Sequence, residues 1–382
     1  MPISRRSLLR RLGVGAVTGV AAQSLSHLSY AEVPRPPQGT SQLARPILLD
    51  HNENAYGPSK KVLAVLREAP SIGNRYPRQE YDILRGKLAA LHTVKEEQIL
   101  LACGSSEILR LAATAFLGPG RQLVQALPTY ESLGNFARSV GAEVVDVPLT
   151  KMYEHDLGAM LARAGKSTGL VYICNPNNPT ASLTPRKDIE SFLHKLPGSV
   201  TVLIDEAYSH FVSPHLGYTS FLDHPFDDPR LVVCRTFSKV YGLAGMRIGY
   251  AVNAPDLLRR LSASQLRYGI SVISAKAASA AVDDANYVRA AIKSNSDDRQ
   301  EFMNQVNARM LRALDSHANF AMMNPLRPVD MVVDHLKKNN VLVAPRIPAM
   351  EKYFRVSFGT PDEMQEFWRV MDLLPPTGKM AM

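Results

Sequence analysis

Strand-like and helix-like segments alternate through the middle of this chain, between residues 98 and 253. Short apolar runs predict strands near 98–103, 121–127, 143–148, 169–174, 201–205, 230–235 and 247–252, with helical patterns between most of them. This alternation predicts an α/β fold in which a mostly parallel sheet is covered by helices on both faces. Because such sheets bind ligands at the carboxyl ends of their strands, polar residues directly after these runs are candidates for a functional site.

A lysine follows the sixth predicted strand. Lys239 lies in the segment Thr236–Gly249, with hydroxyl side chains before it and Arg247 eight residues after it. A lysine held at the end of a buried strand can condense with an aldehyde, and the guanidinium fork suits a phosphate group. The pattern therefore predicts a site for a phosphorylated aldehyde cofactor such as pyridoxal phosphate. Taken alone, the same lysine could be an ordinary solvated charge.

Two earlier strands end in residues that suit the same cofactor. Asp205 ends the fifth predicted strand, where its carboxylate would keep a pyridine nitrogen protonated, because a nearby opposite charge favours the charged form. Gly104, Ser105 and Ser106 follow the first strand and begin a helical pattern, so backbone N–H groups there would face an anion. The alternatives are that Asp205 caps the next segment and that the two serines are plain N-caps.

The segment around Lys239 resembles the cofactor-lysine motif of the class I/II aminotransferases, and most closely the histidinol-phosphate aminotransferase-like branch. The likeness covers almost the whole chain, from Leu48 to Leu373. It implies fold type I, pyridoxal 5'-phosphate as cofactor and a homodimer. It also implies transfer of an amino group between an L-amino acid, or related amine, and a 2-oxo acid by a ping-pong mechanism. Lys239 would hold the cofactor and also move protons.

The resemblance assigns roles to further residues. Asn178 and Tyr208 would contact the phenolic oxygen of the cofactor ring, Tyr130 would stack on the ring, and Tyr76 would reach the phosphate of the neighbouring subunit. The implied catalytic residues are Lys239, Asp205 and Tyr208. The implied cofactor-binding residues are Tyr76, Gly104, Ser105, Ser106, Tyr130, Asn178, Asp205, Tyr208, Thr236, Ser238, Lys239 and Arg247. By pattern alone, either Tyr130 or Tyr76 could instead be a core residue.

Substrate contacts are also implied by resemblance. Arg355 matches the arginine that binds the carboxylate or phosphate of the substrate, and Arg346 matches a second arginine found in part of the branch. Tyr56 lies in the segment Asn52–Pro58, which would fold over the site and offer its hydroxyl to the substrate, and Asn178 would also contact the substrate. Arg346 could equally be a solvated loop charge.

The first 31 residues predict an export signal. Two pairs of arginines precede a mildly apolar stretch from Leu12 to Ala22, and Ser29-Tyr30-Ala31 is a small-x-small cleavage site. This segment resembles a twin-arginine signal peptide, which implies a periplasmic enzyme that is exported folded and cleaved near Ala31, without stable membrane association afterwards. An uncleaved anchor and an ordinary secretory signal are the alternatives.

Composition excludes several other classes of protein. Hydrophobic residues make up 46% of the 382 residues, enough for a large core. The formal charge is +9, of which residues 1–31 contribute four arginines and no acidic residue. Without a basic, aromatic-rich stripe, nucleic acid is not an expected partner. The three cysteines, Cys103, Cys174 and Cys234, end apolar runs and lack metal-ligand spacing, which predicts buried free thiols and no metal site.

The chain is predicted to divide into a signal peptide (1–31), an N-terminal segment packing on the small domain and active site (32–75), a large cofactor-binding domain (76–262) and a small C-terminal domain (263–382). Helices are expected near 59–68 and 81–91. After residue 256 the pattern predicts long helices over about 272–315, short strands near 319–323, 341–344 and 353–357, and a last helix from Pro361.

Other activities remain open. The same residues could serve a pyridoxal-phosphate-dependent oxidase, cyclase or lyase acting on an amino acid. Gly269 and Ser271 depart from the pattern of the branch, which, with export, argues against histidinol phosphate itself as the substrate. A more distant alternative is a non-catalytic ligand-binding protein that has kept the fold.

Overall fold

A seven-stranded sheet forms the centre of the protein in the computed structural model, which describes residues 45–223 and 228–374. The strands of the whole structure are β1 (Ile47–Leu49), β2 (Ile99–Ala102), β3 (Gln122–Leu127), β4 (Glu143–Pro148), β5 (Thr168–Cys174), β6 (Thr201–Asp205), β7 (Leu231–Thr236), β8 (Gly249–Val252), β9 (Arg312–Ala313), β10 (Phe320–Asn324), β11 (Val341–Val343) and β12 (Phe354–Ser357). The order in the large sheet is β2-β8-β7-β6-β5-β3-β4. Strand β8 runs opposite to the other six, so its pairings with β2 and β7 are antiparallel and all other pairings are parallel. The predicted α/β fold with a mostly parallel sheet is confirmed.

Successive side chains of the central strands pack into two separate hydrophobic cores, one on each face of the sheet. In β5 every residue is buried, with Val171 and Ile173 in the cluster on one face and Leu170, Tyr172 and Cys174 in the cluster on the other. This arrangement follows from the two-residue period of a strand, which sends successive side chains to opposite faces. Because both faces are covered, the strand reads as a continuous apolar run in the sequence.

The helices are α1 (Lys60–Glu68), α2 (Arg78–His92), α3 (Gly104–Phe116), α4 (Ser132–Ser139), α5 (Leu157–Arg163), α6 (Arg186–Lys195), α7 (Pro255–Ser262), α8 (Val272–Val282), α9 (Ala285–Ala308), α10 (Val329–Lys338) and α11 (Pro361–Asp372). Local chemistry sets several of their ends. Ser59 caps α1 by accepting the N–H of Val62, and Thr360 and Glu363 form a capping box at the start of α11. None of the described helices is both long and apolar enough to cross a bilayer.

The later part of the chain builds two small sheets around a third core. Strand β1 pairs parallel with β11, and β10 pairs antiparallel with both β9 and β12. Their apolar side chains pack with Phe302 of α9 and with Phe367 and Trp368 of α11. The pairing of β1 with β11 ties the start of the described chain to its later part, whereas the domain boundaries given above stay predictions.

The long helices predicted over about 272–315 are present, but they end earlier than predicted, at Ala308. The structure contains two helices there, α8 and α9, followed by strand β9. Asp283 ends the first helix, and the side chain of Asp284 accepts the N–H of Tyr287 to begin the second at 3.2 Å. An aspartate is a strong N-cap, so the break is produced by a local hydrogen bond that competes with helix continuation.

Candidate active site

A cavity of about 390 Å³ lies at the carboxyl ends of β5, β6 and β7. It gathers most of the residues predicted from the sequence: Ser105, Ser106, Tyr130, Asn178, Asp205, Tyr208, Thr236, Ser238, Lys239, Arg247 and Arg355. These side chains come from strand ends, from the first turn of α3 and from β12, which lie far apart in the sequence. Their convergence follows from the parallel order of the central strands, whose carboxyl ends meet at one edge of the sheet.

Lys239 places its amine inside this cavity. Its Nζ donates hydrogen bonds to the backbone oxygens of Asn52, at 2.8 Å, and His51, at 3.1 Å. Burial lowers the pKa of this amine to about 8, and the positive charge of Arg355 adds to the effect. A substantial fraction of the amine is therefore neutral near that pH, which is the form that attacks a carbonyl carbon.

A close backbone approach holds the N-terminal segment over this lysine. Gly242 has φ +67°, in the left-handed region, and a Cβ atom there would overlap the carbonyl oxygen of Gly57. The N–H of Gly242 also donates to the carbonyl of Lys239 at 3.0 Å, closing the turn after the lysine. Only glycine meets both requirements, since other residues are strained at positive φ and carry a Cβ.

Asp205 is a buried carboxyl group, 2% exposed, at the end of β6. Its Oδ2 accepts a hydrogen bond from the hydroxyl of Tyr172 at 3.1 Å, and its Oδ1 accepts the N–H of Ala207 at 3.1 Å. Burial raises the pKa of Asp205 to about 6. A cationic partner in the cavity would favour the ionised form, as the role predicted for this residue beside a pyridine nitrogen requires.

Cysteines stand on both sides of Asp205. The strand register pairs Cys174 with Asp205 on one side and Asp205 with Cys234 on the other. Both thiols are buried, and burial raises their pKa well above the usual value, so they stay protonated. All three cysteines are free, and Cys103 is only partly buried.

A hydrogen-bonded relay connects Arg355 to Tyr208. Nη1 of Arg355 donates to Oδ1 of Asn178 at 2.7 Å, which fixes the amide so that its Nδ2 donates to the Tyr208 hydroxyl at 3.3 Å. The Nδ2 of Asn52 donates to the same hydroxyl at 3.0 Å. Burial raises the pKa of Tyr208, so the phenol keeps its proton. With both donors directed at its oxygen, this proton is available to a group in the cavity.

An anion cradle is built where α3 begins. Gly104 has φ +73°, and a Cβ there would overlap Nη2 of Arg247, so the glycine lets the guanidinium approach the start of the helix. Nη1 of Arg247 donates to the hydroxyl of Ser238 at 3.3 Å. Ser105 and Ser106 lie in the first turn, after the N-cap position of Cys103, so the alternative that they are plain N-caps is wrong. Free N–H groups, hydroxyls and an arginine together suit a phosphate group.

Three predicted site residues lie away from this cavity. The hydroxyl of Tyr56 contacts the carboxylate of Asp298 at 3.0 and 3.1 Å. Arg346 forms ion pairs with Asp330 at 3.2 Å and with Glu351 at 3.9 Å. Their substrate roles stay predictions.

Tyr76 also lies outside the cavity of its own chain. It is 75% exposed, and its ring stacks on Tyr268 with centroids 5.1 Å apart. The predicted role of Tyr76 requires a neighbouring subunit, so it stays a prediction too.

Several residues of the site were not predicted from the sequence. His51 and Glu53 line the cavity, and Asn52 contacts Lys239, Tyr208 and Ser357. No local pattern signals these contacts, because they depend on how a loop folds back onto distant strands. Tyr172 was treated only as a strand residue, although strand alternation places it on the same face as Cys174, beside Asp205.

The residues present fit a phosphorylated pyridine aldehyde. A lysine amine of lowered pKa, a buried carboxyl group, a tyrosine hydroxyl and an anion cradle surround one cavity. These features define the site of a pyridoxal-phosphate-dependent enzyme of fold type I. Ser105, Ser106, Ser238 and Arg247 would hold the phosphate, and Asp205 would face the ring nitrogen.

Comparison with known proteins gives the family. The model of the family described as aminotransferase class I and II matches residues 44–370. The chain is 35% identical over 321 residues to histidinol-phosphate aminotransferase 2 of Carboxydothermus hydrogenoformans, covering 84% of this chain and 88% of that protein. It is 33% identical over 358 residues to histidinol-phosphate aminotransferase 2 of Hydrogenovibrio crunogenus, covering 91% and 95%.

Solved structures support the same family. A putative histidinol-phosphate aminotransferase from Erwinia carotovora is similar with a TM-score of 0.81 at 32% identity, covering 86% of this chain and 95% of that chain. Histidinol-phosphate aminotransferase from Sinorhizobium meliloti, in complex with pyridoxal 5'-phosphate, is similar with a TM-score of 0.80 at 26% identity, covering 86% and 91%. The chain therefore belongs to the class I and II aminotransferase family.

Proposed function

We propose that this chain transfers the amino group of an L-amino acid or related amine to a 2-oxo acid in a ping-pong cycle, and that Arg355 binds the anionic group of the substrate. One observation carries the proposal: Lys239, Asp205 and Arg355 line a single cavity of about 390 Å³. When bound there, pyridoxal phosphate withdraws electrons from the substrate carbon that carries nitrogen and stores the amino group between the two half-reactions.

Lys239 acts as the proton carrier. An amine whose pKa is lowered to about 8 by burial and by Arg355 exchanges protons readily near neutral pH. When it is not bonded to the cofactor, Nζ can take a proton from the substrate α-carbon and deliver it to the former aldehyde carbon of the cofactor. Its hydrogen bonds to the backbone at residues 51 and 52 hold the amine on one side of the cavity.

Arg355 orients the substrate. Two of its nitrogens donate to Asn178 and to the carbonyl of Asp50, at 2.7 and 2.8 Å, and so lock the guanidinium in place. Its Nε is buried and has no acceptor within the described residues. An arginine that is fixed but incompletely satisfied is suited to a carboxylate or phosphate. Histidinol phosphate, the substrate named for the relatives, has one such group, and so does a simple amino acid.

A substrate screen with a lysine variant tests this function. The purified protein is incubated with pyridoxal phosphate, a 2-oxo acid and a panel of L-amino acids plus histidinol phosphate, and the new oxo product is measured. We expect Lys239→Ala to lose both turnover and the absorbance of the lysine-bound cofactor. Lys60→Ala, an exposed lysine at the start of α1, should retain both.

Oxygen consumption without an amino acceptor would point to the oxidase instead. Retention of turnover and of the absorbance in the Lys239 variant would overturn the assignment of the lysine.

We also propose that the protein works as a homodimer. Tyr76 is 75% exposed and stacks on the partly buried ring of Tyr268, and Leu266, two residues before Tyr268, is 73% exposed. A cluster of this kind is typical of an interface. Sedimentation should give a dimer for the native protein, and Tyr76→Ala should weaken cofactor affinity only if the residue reaches the phosphate of its partner.

Export by the twin-arginine route is proposed from the sequence of residues 1–31, which lie outside the described residues. Replacing Arg5 and Arg6 by lysine should leave the full-length protein in the cytoplasmic fraction, whereas the native chain should reach the periplasm and lose its signal near Ala31. Equal export of both proteins would contradict the proposal.

A further inference from the structure

Glu53 lines the cavity from the side of the N-terminal segment. The backbone there is held firmly, because Nδ2 of Asn319 donates to the carbonyls of both Asn52, at 3.0 Å, and Glu53, at 3.1 Å. The N–H of Asn52 donates to the hydroxyl of Ser357 at 2.8 Å. The backbone of Glu53 is therefore fixed at the edge of the cavity, and its side chain is exposed.

The charge of Glu53 reaches the reacting centre. The negative charges of Glu53 and Asp205 both favour the protonated form of Lys239 and oppose the lowering of its pKa by burial and by Arg355. Within residues 45–223 and 228–374, no donor forms a hydrogen bond or ion pair with the Glu53 carboxylate. Glu53 thus lies at the cavity, and its carboxylate keeps its hydrogen-bonding capacity for a ligand.

The other charges of the cavity are already committed. Arg247 belongs to the phosphate cradle, and Asp205 to the ring nitrogen. Two opposite charges then remain for the substrate, Arg355 and Glu53. Arg346, the other candidate for a distal acidic group, is paired with Asp330 away from the cavity. A second anionic group on the substrate would therefore meet a carboxylate rather than an arginine.

We propose that Glu53 selects amine substrates with a positively charged side chain, in addition to the anionic group that Arg355 binds. The inference rests on the proposed function and adds the class of substrate. Both charges of such a substrate would be matched, whereas a neutral side chain gains nothing from Glu53 and an acidic one is repelled.

L-Lysine and L-norleucine test this directly, because they differ only by the terminal amine. We expect the native enzyme to prefer lysine in kcat/KM, and Glu53→Gln to reduce the lysine-to-norleucine ratio by about two- to fivefold, the effect of losing one solvent-exposed charge pair. Glu131→Gln is the matched control: its charge acts on Arg355, but the residue does not line the cavity. The ratio should be unchanged in this variant.

A second measurement needs neither turnover nor cofactor. Glu53→Gln removes a charge that favours protonated Lys239, so the pKa of this amine, followed by its rate of reaction with an aldehyde or acylating reagent, should fall further below its native value. An unchanged pKa, an unchanged ratio or a native preference for norleucine would each overturn the proposal.

Substrate preference can still be measured if neither amino acid is converted. Their inhibition constants against an accepted amine then give the same ratio. Turnover of no amine at all would refute the proposed function itself, whereas equal lysine-to-norleucine ratios in native and variant enzymes would refute only the role of Glu53.

Discussion

Replacing Asp205 by asparagine should stabilise the cofactor-free protein while damaging the cofactor-bound one. The carboxyl group is buried, and its pKa is raised from 3.8 to about 6. At about 1.4 kcal/mol for each tenfold change in proton affinity, this shift corresponds to about 3 kcal/mol of lost stability once the group is ionised. Asparagine has nearly the same shape and can still accept the N–H of Ala207, but it carries no charge.

The direction of the pKa shift determines how the stability of the native protein changes with pH. Because the folded pKa lies above the unfolded one, the native protein loses stability as the pH rises from about 4 to about 6, and the loss is complete above that. Urea denaturation of the cofactor-free proteins should therefore show Asp205→Asn more stable by up to about 3 kcal/mol near pH 8, and nearly equal to the native protein near pH 4. Asp330→Asn, which changes an exposed aspartate, should match the native protein at both values.

Adding pyridoxal phosphate should reverse the ranking. A protonated ring nitrogen beside Asp205 favours the ionised carboxylate, so the cofactor should raise the Tm of the native protein more than that of the variant. The reasoning would be refuted if Asp205→Asn had the same advantage at both pH values, or if the cofactor stabilised both proteins equally.

Three further substitutions test residues that surround the cavity or lie outside it. Gly104→Ala should weaken cofactor affinity by about tenfold or more in a fluorescence titration, because the alanine is strained at φ +73° and overlaps Arg247. Arg235→Met should lower the free energy of unfolding by about 3–5 kcal/mol in urea, since it leaves buried Glu206, now 3.0 Å from the guanidinium, without its ion-pair partner. Arg346→Ala should change kcat/KM by less than about twofold, because surface ion pairs contribute little and the residue lies outside the cavity.

Matched variants separate these effects from general damage. Gly198→Ala adds a Cβ in open space and should leave cofactor affinity unchanged. An unchanged cofactor affinity in Gly104→Ala would contradict the assignment of Gly104 and Arg247 to the phosphate-binding site. A large loss of kcat/KM on changing Arg346 would confirm its predicted role as a substrate contact.

The parts of the site that the sequence predicts are those next to regular structure. Lys239, Asp205 and Asn178 each follow a short apolar run, and parallel strands bring such positions together whatever the connecting helices do. Arg355 was found only through the family motif, since an arginine in a short strand carries no intrinsic sign of a substrate contact. The resemblance places the loop containing Glu53 over the site, but no residue pattern shows which of its side chains line the cavity.

Two further features were not predicted from the sequence, a long-range side-chain contact and the end of a helix. The hydroxyl of Tyr172 reaches Asp205 across 33 residues of sequence, and nothing in the strand pattern distinguishes it from a core tyrosine. The end of the helical region was predicted near residue 315, whereas α9 ends at Ala308 and strand β9 follows. Periodicity thus predicts which face of an element is buried better than it predicts where the element stops.

The site concentrates groups whose electrostatic needs are unmet in the cofactor-free chain. Asp205 has a raised pKa, Lys239 has a lowered one, and Nε of Arg355 is buried without an acceptor among the described residues. Each of these costs is relieved by a different complementary group: a cationic ring nitrogen, an aldehyde carbon and a substrate anion. Because the three groups share one cavity and Arg355 itself lowers the pKa of Lys239, binding an anion at Arg355 should raise the pKa of a free Lys239 amine. Arrival of the substrate anion thereby makes the released lysine a stronger base at the moment when it must accept the α-proton.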